Sequence, residues 1–528
     1  MSTVAGDPHI HDDDAPGPPI SVPESGEGEG GKLQMIMQLV KKSLGVKDIA
    51  AMRLSLPASL LEPMPNLEYW QYLDRPDMFA VINDSQDPFE RMLALVRFAF
   101  TKDLKFVHGK VCKPYNSVLG EHFRAHWDVA PAPPPIVASA SADVRPSPDN
   151  ESLKSSKSNR SGLSAFSKTG KSPSTAATSV EAAAADMSQL NLSASNDTVR
   201  VVFLTEQVSH HPPVSAFYAS CPSRSIEMYG IDQISAKISG TTLRVMPGVF
   251  NKGIFINLTG GPGAGEEYNI CHPIASVNGL LRGSFYVTIA DSTIITCTTG
   301  GKQRFRAIIE YKEESWLGRA HYLVEGVIHT VVDGETQHEK WTKVKQVPQN
   351  RVVAVFDGSW RGRIRWRRVG AGSYPQVTSS TSSSPNPSHA TLSTSLSTPS
   401  AASSRMDISA VKDEEWATLV DLSTLLPTPK AVRPLDKQEP RESRKLWETV
   451  TTRLLNKEFS DATKEKVIIE QRQRDEAAER KRKGETFVPV YFDASMEKGH
   501  SALTDAGRKA IEEEMVDPTE AEEAPAVV

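Results

Sequence analysis

Residues 206–213 read Glu206-Gln207-Val208-Ser209-His210-His211-Pro212-Pro213 and follow a strand-forming run at 199–204. The run Val-Arg-Val-Val-Phe-Leu is rich in β-branched and aromatic side chains and predicts a β-strand. Proline fixes its own φ angle and disfavours helical geometry in the preceding residue, so the two histidines lie on an extended backbone at the strand end. Imidazoles presented in this way can donate hydrogen bonds to an anion, bind a metal ion or transfer protons.

Length and charge limit the classes of protein to which the chain can belong. Its 528 residues could form about two or three average domains or one large β domain. A formal net charge of −5 argues against a general nucleic-acid-binding protein, which normally carries a basic domain or stripe. The N-terminus lacks the basic and apolar segments of a signal peptide, and no apolar run approaches the ~20 residues that span a bilayer. We therefore expect a soluble, cytoplasmic protein whose membrane contact is peripheral.

The composition changes along the chain and predicts one folded domain, at residues 32–500, with unstructured additions. Residues 1–31 are rich in Gly, Pro, Asp and Glu and predict a disordered tail. The stretches 131–198 and 370–404 contain few large apolar residues, so burial cannot offset an ordering cost of ~1–2 kcal/mol per residue. We interpret both as disordered insertions into loops, because the flanking elements continue across them. Residues 501–528 predict an acidic C-terminal tail.

Short β-branched and aromatic runs dominate residues 199–368. Besides the run before the histidines, clear examples lie at 243–246, 253–258 and 284–289. The dipeptides Asn278-Gly279 and Asp333-Gly334 are turn formers that favour hairpins. Many short strands at regular spacing predict a barrel or a sandwich.

Helical sequence flanks this β region on both sides. Asp87 predicts an N-cap and Pro88 the first residue of a helix. The apolar residues that follow share one helix face: Phe89, Leu93, Val96 and Phe100. A second helical stretch runs from about residue 442 to residue 482. The predicted fold class is therefore α+β and dominated by β-structure.

An amphipathic stretch lies at the N-terminal end of the predicted domain. Its apolar face comprises Leu33, Ile36, Met37, Val40 and Leu44. Burying five such side chains contributes at most ~1.5–3 kcal/mol each, and fixing the backbone costs ~1–2 kcal/mol for every residue, so these contributions nearly cancel. The helix should order only against another apolar surface. It is either a core helix or a movable lid that touches membranes.

Two further motifs contain cationic side chains that could bind an anion. In Lys113-Pro114-Tyr115-Asn116-Ser117-Val118-Leu119-Gly120-Glu121 a lysine precedes a proline, and taken alone such a lysine is a solvated surface charge. Lys466, Glu470 and Arg474 recur at i, i+4 and i+8 and therefore share one helix face. Without further context, they form a surface ion-pair ladder worth ~0.2–0.5 kcal/mol per pair.

Together these motifs resemble the oxysterol-binding protein-related family of lipid-transfer proteins. Residues 206–213 match the family signature EQVSHHPP. Residues 113–121 are similar to the family's KPxNPxLGE block, although Ser117 replaces the second proline. The spacing of Lys466, Glu470 and Arg474 is similar to the family's Lys-xxx-Glu-xxx-Arg helix.

The resemblance covers most of residues 33–132 and 199–493 and includes an extended stretch at 54–63 between lid and core. It implies a large antiparallel, near-closed β-barrel around a lipid tunnel, with an N-terminal lid at 33–56 and flanking helices. It also implies a short form of the family that consists of the ligand-binding domain alone.

A phosphoinositide head-group site follows from the same resemblance. It comprises Lys113, Asn116, His210, His211, Lys466, Glu470 and Arg474. A monoester phosphate carries close to two negative charges and three acceptor oxygens. Arg474 can donate a bidentate pair of hydrogen bonds, the lysines supply compact charges, and the histidines supply directed N–H donors. The apolar part of the lipid would occupy the tunnel under the lid.

The implied function is the exchange of phosphatidylinositol 4-phosphate for a second lipid, a sterol or phosphatidylserine, between membranes. The alternative is a lipid sensor or scaffold that binds phosphoinositide or sterol without net transfer. We do not expect an enzyme or a cofactor, because the sequence shows no nucleophile elbow, metal cluster or P-loop to complete a catalytic site. The expected partners are membrane lipids rather than nucleic acid, and the expected location is the cytoplasm, peripherally at membranes and membrane contact sites.

Three weaker signals have simpler structural interpretations. Tyr491-Phe492-Asp493-Ala494 resembles a short motif that docks on endoplasmic-reticulum adaptor proteins, although the family's own fold has a similar aromatic end. Residues 360–368 mix aromatic and basic side chains, which suits RNA, but an alternating strand with a solvated basic face is the favoured interpretation. The glycine-rich segment 260–265 predicts a loop rather than a phosphate cradle.

Metal binding is only weakly indicated. His9-Ile10-His11-Asp12-Asp13-Asp14 could chelate a metal ion, but a solvated tail is favoured. His122 and His126 have the spacing of an HExxH site, but Phe123 occupies the glutamate position, so we interpret them as incidental. The four cysteines lack metal-ligand spacing and predict reduced thiols: Cys112, Cys221, Cys271 and Cys297.

Overall fold

The computed structural model describes residues 20–21, 29–43, 45–50, 54–55, 58–108, 113–134, 198–239, 242–279, 286–300, 303–313, 321–369 and 416–516. The described residues up to 134 and from 199 onward belong to one compact unit. The predicted insertions 131–198 and 370–404 lie almost wholly outside the described residues, as does the histidine-containing segment 9–14. The disorder and the weak metal binding assigned to them therefore remain predictions.

Antiparallel strands make up most of the described chain. Twelve of them form one sheet in the order β18-β17-β16-β15-β14-β13-β10-β9-β6-β5-β4-β3. A separate antiparallel sheet has the order β12-β11-β8-β7, and β1 pairs with β2 in parallel. The strands are β1 (Ile20–Ser21), β2 (Leu54–Ser55), β3 (His122–Val129), β4 (Val199–His210), β5 (Pro213–Cys221), β6 (Ile226–Asp232), β7 (Ile234–Ser239), β8 (Thr242–Pro247), β9 (Ile254–Leu258), β10 (Glu267–Ile270), β11 (Ile274–Asn278), β12 (Tyr286–Ala290), β13 (Ser292–Thr299), β14 (Arg304–Tyr311), β15 (Leu323–Val331), β16 (Val352–Ser359), β17 (Arg363–Arg368) and β18 (Ala417–Asp421).

The predicted strands and one of the predicted hairpins are confirmed. The runs at 243–246, 253–258 and 284–289 correspond to β8, β9 and β12. Asn278-Gly279 ends β11, which pairs with β12 from Asn278 opposite Tyr286. Asp333-Gly334 follows β15, but β16 begins only at Val352, so the connection there is longer than a tight hairpin.

The twelve-stranded sheet curls into the predicted near-closed barrel. β3 and β18 are its edge strands. The chain that leaves β18 reaches β3, where the backbone N–H of Ala431 donates to His126 O at 2.8 Å and the His126 N–H donates to Ala431 O at 3.1 Å. The indole N–H of Trp127 also donates to Thr428 O at 3.2 Å. This segment satisfies backbone groups that an open sheet edge would leave exposed.

Helices flank the barrel and fill part of it. They are α1 (Glu29–Ser43), α2 (Asn66–Tyr69), α3 (Pro76–Ala80), α4 (Pro88–Thr101), α5 (Lys105–His108), α6 (Ser443–Leu446), α7 (Glu448–Leu455), α8 (Phe459–Lys483) and α9 (Asp505–Val516). The single helix predicted at 442–482 is thus three helices. Lys457, between α7 and α8, has a φ of +62°, in the left-handed region that interrupts a right-handed helix.

The acidic-tail prediction is wrong for residues 505–516. This segment forms α9, whose Ala510 and Ile511 belong to the same buried cluster as Val202 and Leu204 of β4. The prediction rested on the acidic composition of the segment and overlooked a small apolar face, which is sufficient to pack one side of a short helix.

Helix α4 belongs to the core. It begins as predicted, with the Asp87 carboxylate accepting a hydrogen bond from the Phe89 N–H at 2.8 Å and Pro88 as first residue. The prediction of a single apolar face is too narrow, because every residue of the helix from Phe89 to Thr101 except Glu90 is buried. Its polar Arg91 is only 2% exposed and forms a bidentate pair with Glu266. A helix surrounded by strands requires this all-round burial.

We expect Asp87→Ala to lower the free energy of unfolding by about 1 kcal/mol, because it removes the cap of α4. Urea unfolding followed by far-ultraviolet circular dichroism measures the effect. Asp87→Asn, which keeps an oxygen acceptor, should recover most of the loss. Equal destabilisation by both substitutions would contradict the capping role.

The strand interpretation of residues 360–368 is confirmed. In β17, Ile364 is 0% exposed and Trp366 is 1% exposed, whereas Arg363 is exposed and Arg365 is half-buried. Arg365 pairs with Asp357 on the adjacent strand at 2.7 Å. The glycine-rich segment 260–265 is a loop with one short 3₁₀ turn, also as predicted.

Candidate functional site

The signature histidines end the long strand β4, which lies between β5 and the edge strand β3. β4 runs from Val199 to His210, beyond the predicted 199–204, and His210 pairs with Pro213 of β5 across the turn. The His210 and His211 rings lie edge to face with centroids 4.4 Å apart, and both residues are partly exposed. The turn thus presents two imidazoles at the rim of the barrel.

Glu206, in the same signature, has a structural role. Its side chain is 0% exposed and accepts hydrogen bonds from the backbone N–H groups of Val490 and Tyr491, both at 2.8 Å. Burial raises the pKa of Glu206, and these hydrogen bonds oppose the shift. The carboxyl group therefore ties the C-terminal part of the domain to β4.

This arrangement contradicts the adaptor-docking interpretation of residues 491–494. Tyr491 is 6% exposed and Phe492 is 1% exposed, and both belong to the cluster that packs α9 on the sheet. A partner protein could not reach these rings without unfolding the segment. The aromatic pair is part of the domain's own core.

The segment 113–121 lies directly beside the end of β4. The Gly120 N–H donates to Gln207 O at 2.9 Å, and the Gln207 N–H donates to Glu121 O at 2.8 Å. At the other end of the segment, Lys113 Nζ donates to Asn116 Oδ1 at 2.6 Å. The lysine and asparagine are thus held together on the same short segment whose other end contacts β4.

Glu121 anchors this segment to the C-terminal helices. Its buried carboxyl group accepts hydrogen bonds from Val118 N at 3.0 Å, Ser443 Oγ at 2.7 Å and Trp447 Nε1 at 3.0 Å. Burial raises the pKa of Glu121 to about 7, against the opposing effect of these donors. The carboxyl group therefore joins residues 113–121 to α6 and to Trp447.

Helix α8 carries the third motif. Lys466 Nζ lies 2.5 Å from Glu470 Oε1, and Arg474 Nη2 lies 3.6 Å from Glu470 Oε2. The Lys466 side chain is only 5% exposed, whereas that of Arg474 is 54% exposed. The row is therefore no simple surface ladder, because its first cation is buried against the domain.

Arg441 and an apolar cluster bring the motifs together. Arg441 donates from Nη1 to Leu119 O at 2.7 Å and pairs through Nη2 with Glu476 of α8 at 2.8 Å. Tyr115 and Val118 of the lysine segment share a buried cluster with Ala462 of α8. The lysine segment thus contacts both the histidine strand and the Lys466 helix.

Helix α1, the predicted lid, lies at the same place. Its Met35 is 1% exposed and belongs to the cluster that contains Tyr115 and Trp447. Met37, on the predicted apolar face, is 39% exposed. The side chains of the other predicted face residues are outside those described: Leu33, Ile36, Val40 and Leu44. The lid role of that face remains a prediction.

The two histidines interpreted as incidental are structural. His122 and His126 lie on β3, not on a helix. His126 Nδ1 lies 2.7 Å from Glu514 Oε1 of α9, and both side chains are 1% exposed. Burial lowers the pKa of His122 to about 4. Nothing in the local sequence indicates the contact of His126 with Glu514, because 388 positions separate the two residues.

The described residues contain neither a metal-binding cluster nor a membrane-spanning helix. No group of three or more His, Cys, Asp or Glu side chains in the described ranges could hold a metal ion. Across the same part of the chain, no helix is long and apolar enough to cross a membrane. Cys221, Cys271 and Cys297 are free, and Cys112 is outside the described residues.

Comparisons with known proteins agree with this architecture. The profile of the family described as Oxysterol-binding protein matches residues 35–514. The chain is 36% identical to oxysterol-binding protein-like protein 1 of Schizosaccharomyces pombe, over 94% of both chains. It is 28% identical to human oxysterol-binding protein-related protein 11, over 83% of this chain and 45% of the human one.

Solved structures share the fold at low sequence identity. The Osh1 ORD domain in complex with cholesterol has a TM-score of 0.53 and 16% identity, covering 92% of this chain and 90% of that one. The Osh3 ORD of Saccharomyces cerevisiae in complex with PI(4)P has a TM-score of 0.51 and 13% identity, covering 95% of this chain and 98% of that one.

The near-closed barrel and its histidine strand place the chain in a class of β-dominated domains with flanking helices. The chain belongs to the oxysterol-binding protein family.

Proposed function

We propose that this protein binds phosphatidylinositol 4-phosphate and exchanges it for a second lipid, a sterol or phosphatidylserine, between membranes. It would act in the cytoplasm, peripherally at membranes and membrane contact sites. The chemistry is reversible binding without bond breakage. A gradient of one lipid between two membranes would drive transport of the other.

One observation carries the proposal: the lysine segment 113–121 contacts both the end of β4 and helix α8. Through these contacts, two partly exposed imidazoles and the cations of Lys113, Lys466 and Arg474 belong to one connected region. A phosphate monoester needs several N–H donors and positive charges around one point. Glu470, which contacts Lys466 and Arg474, can orient these two cations or accept a hydrogen bond from an inositol hydroxyl.

The names of two structural neighbours support the choice of ligand. The Osh3 ORD structure contains PI(4)P, and the Osh1 ORD structure contains cholesterol. Their identity to this chain is below 20%, so the likeness by itself concerns the fold. The residue-by-residue match of the three motifs is what extends the proposal to the ligand.

We expect Lys113→Ala and Arg474→Ala each to weaken phosphatidylinositol 4-phosphate binding by ~1.5–3 kcal/mol, the contribution of a hydrogen bond to a charged group. That loss corresponds to roughly ten- to hundredfold in Kd. Binding of the second lipid should change much less, because it lacks the phosphorylated inositol. A fluorescent-lipid displacement assay measures both affinities.

Arg472→Ala is the matched control for Arg474→Ala. Arg472 is exposed on the same helix but lies outside the i, i+4, i+8 row of Lys466. Its loss should leave the affinity for phosphatidylinositol 4-phosphate within about twofold. If Arg472→Ala and Arg474→Ala weaken binding equally, general electrostatic attraction rather than the proposed site holds the head group.

Transfer kinetics separate exchange from sensing. A transfer protein accelerates the movement of phosphatidylinositol 4-phosphate between donor and acceptor liposomes at substoichiometric amounts. A sensor or scaffold binds the lipid stoichiometrically without accelerating its movement. Acceleration in both directions, with the second lipid moving in the opposite sense, is the result that we expect.

A further inference from the structure

The two halves of helix α8 are held against the domain in different ways. The first half packs through apolar contacts, since Ala462 belongs to the same buried cluster as Tyr115, and Phe459 and Ile469 pack against that cluster. Among the described residues, no member of α8 beyond Ile469 belongs to an apolar cluster. The second half of the helix therefore depends on polar contacts for its position.

Arg441 supplies such a contact. Its Nη2 pairs with Glu476 Oε2 at 2.8 Å, and its Nη1 donates to Leu119 O at 2.7 Å. The backbone carbonyl of Arg441 also accepts a hydrogen bond from His122 N at 3.1 Å. Because the donors of a guanidinium group lie in one rigid plane, the two side-chain contacts are fixed relative to each other. Arg441 thus joins the end of the lysine segment 113–121 to the second half of α8.

Glu476 lies on the face of α8 that is turned toward the domain. Helix positions spaced alternately four and three apart share one face. The row that contains the buried Lys466 follows this spacing, and each of its members is buried or half-buried: Ala462, Lys466, Ile469, Gln473 and Glu476. A contact at Glu476 therefore fixes the rotation of α8 about its own axis beyond the point where apolar packing ends.

Arg474 lies in this second half. Among the described residues, its polar contacts are with its own helix, where its guanidinium group lies 3.6 Å from Glu470 Oε2 and donates to Gln471 Oε1 at 3.3 Å. These contacts move with the helix. The position of Arg474 relative to Lys113 is therefore set by whatever holds the second half of α8.

We infer that Arg441 is a positioning residue of the head-group site: through Glu476 it holds the second half of α8, and with it Arg474, at a fixed place relative to the lysine segment. The inference deepens the proposed function and rests on it. The side chains of Arg441 and Glu476 are 44% and 35% exposed, and an ion pair so exposed adds little to stability. Its effect should therefore appear in ligand affinity rather than in the unfolding temperature.

The test compares Glu476→Ala and Arg441→Gln with Arg453→Gln. Arg453 is a matched control, because its side chain is 43% exposed and pairs with Glu458 just before α8, outside the proposed site. Calorimetry with a water-soluble short-chain phosphatidylinositol 4-phosphate measures head-group affinity, and thermal unfolding measures stability.

We expect Glu476→Ala and Arg441→Gln each to weaken short-chain lipid binding by about three- to tenfold, the scale of coupling between neighbouring residues. The control Arg453→Gln should stay within about twofold of the unaltered protein. The unfolding temperatures of all three variants should remain close to that of the unaltered protein, because each loses only a partly exposed ion pair.

A double-mutant cycle with Arg474 shows whether the pair acts by positioning. In an Arg474→Ala background, Glu476→Ala should change the affinity by less than about twofold, because the arginine that it positions is gone. In a Lys113→Ala background, Glu476→Ala should keep its full effect. Equal losses in the two backgrounds, an equal loss in Arg453→Gln, or unchanged binding by both Glu476→Ala and Arg441→Gln would each overturn the inference.

Hydrogen exchange in the ligand-free protein separates this inference from the proposed function. Glu476→Ala should speed amide exchange in residues 473–483 and leave residues 459–469 unchanged, because only the second half of α8 loses its anchor. Unchanged exchange in residues 473–483 would overturn the inference. If the exchange responds as expected but the unaltered protein does not bind the short-chain lipid, the proposed function alone is contradicted.

Discussion

Replacing both signature histidines, His210→Ala with His211→Ala, is expected to abolish extraction of phosphatidylinositol 4-phosphate from liposomes while leaving the fold intact. Each imidazole can donate one hydrogen bond to a doubly charged phosphate, and such bonds contribute ~1.5–3 kcal/mol each. Together they correspond to a loss of ~100-fold or more in affinity. Both side chains are partly exposed at a turn rather than packed in the core, so the domain should fold without them.

The control for this double variant is His321→Ala, which removes an exposed histidine that lies just before β15 and outside the proposed site. It should extract the lipid normally. Thermal unfolding of all three proteins shows whether the fold is retained. A double variant that unfolds, or one that folds and still extracts phosphatidylinositol 4-phosphate, would remove the main support for the head-group assignment.

Glu121→Ala is expected to cause the largest loss of stability among the substitutions considered, at least about 3 kcal/mol. It removes the acceptor of three hydrogen bonds and leaves Val118 N and Trp447 Nε1 buried without their partner, each at a cost of ~1–3 kcal/mol. The variant should also bind phosphatidylinositol 4-phosphate more weakly, because Lys113 and Asn116 lie on the segment that Glu121 anchors.

Glu121→Gln is the matched control. A glutamine oxygen can accept from Val118 and Trp447, and its amide can donate to Ser443 Oγ, whose own hydroxyl can donate to His122 O. This variant should unfold within about 1 kcal/mol of the unaltered protein. Comparable destabilisation by alanine and glutamine in urea unfolding would show that the hydrogen-bond network is not what holds the segment.

The pKa of Glu121 adds a dependence on pH. Burial raises this pKa from 4.5 to about 7, so between these values the folded protein binds more protons than the unfolded chain. The contribution of Glu121 to the free energy of unfolding therefore falls as the pH rises from about 4.5 through 7. Glu121→Gln removes this contribution, so its stability relative to the unaltered protein should increase between pH 5 and pH 8. A constant difference across that range would contradict the raised pKa.

Features encoded in neighbouring residues could be predicted from the sequence. The β-branched run before His210 gave the strand, the dipeptide Asp87-Pro88 gave the start of α4, and the alternation in residues 363–368 gave β17. Each depends on local backbone preferences or on the two-residue period of a strand. The resemblance then supplied the barrel and the grouping of the three motifs.

Features that depend on distant contacts could not be predicted. The sequence around Glu121 gives no sign that Ser443 and Trp447, more than 300 positions away, donate to it. Lys466 has the spacing of a surface ladder, and only tertiary packing explains its burial. Local periodicity contains no information about which other element covers a given face.

The sequence did not show the break within one helical stretch or the burial of one methionine in another. No glycine or proline marks the break at Lys457, so the stretch from 442 to 482 resembled one helix. In α1, Met35 packs into the cluster beside Tyr115, although the apolar periodicity placed Met37 rather than Met35 on the apolar face. When a helix has apolar residues on more than one side, the elements packed around it determine which side is buried.

The central claim is that this chain carries phosphatidylinositol 4-phosphate together with a second lipid. The most direct test is to incubate the purified protein with mixed liposomes that contain phosphatidylinositol 4-phosphate, a sterol and phosphatidylserine, and to identify the extracted lipids by mass spectrometry. We expect phosphatidylinositol 4-phosphate and one of the other two, with each displacing the other from the protein. A folded protein that extracts no lipid, or extracts a second lipid but never phosphatidylinositol 4-phosphate, would contradict the account.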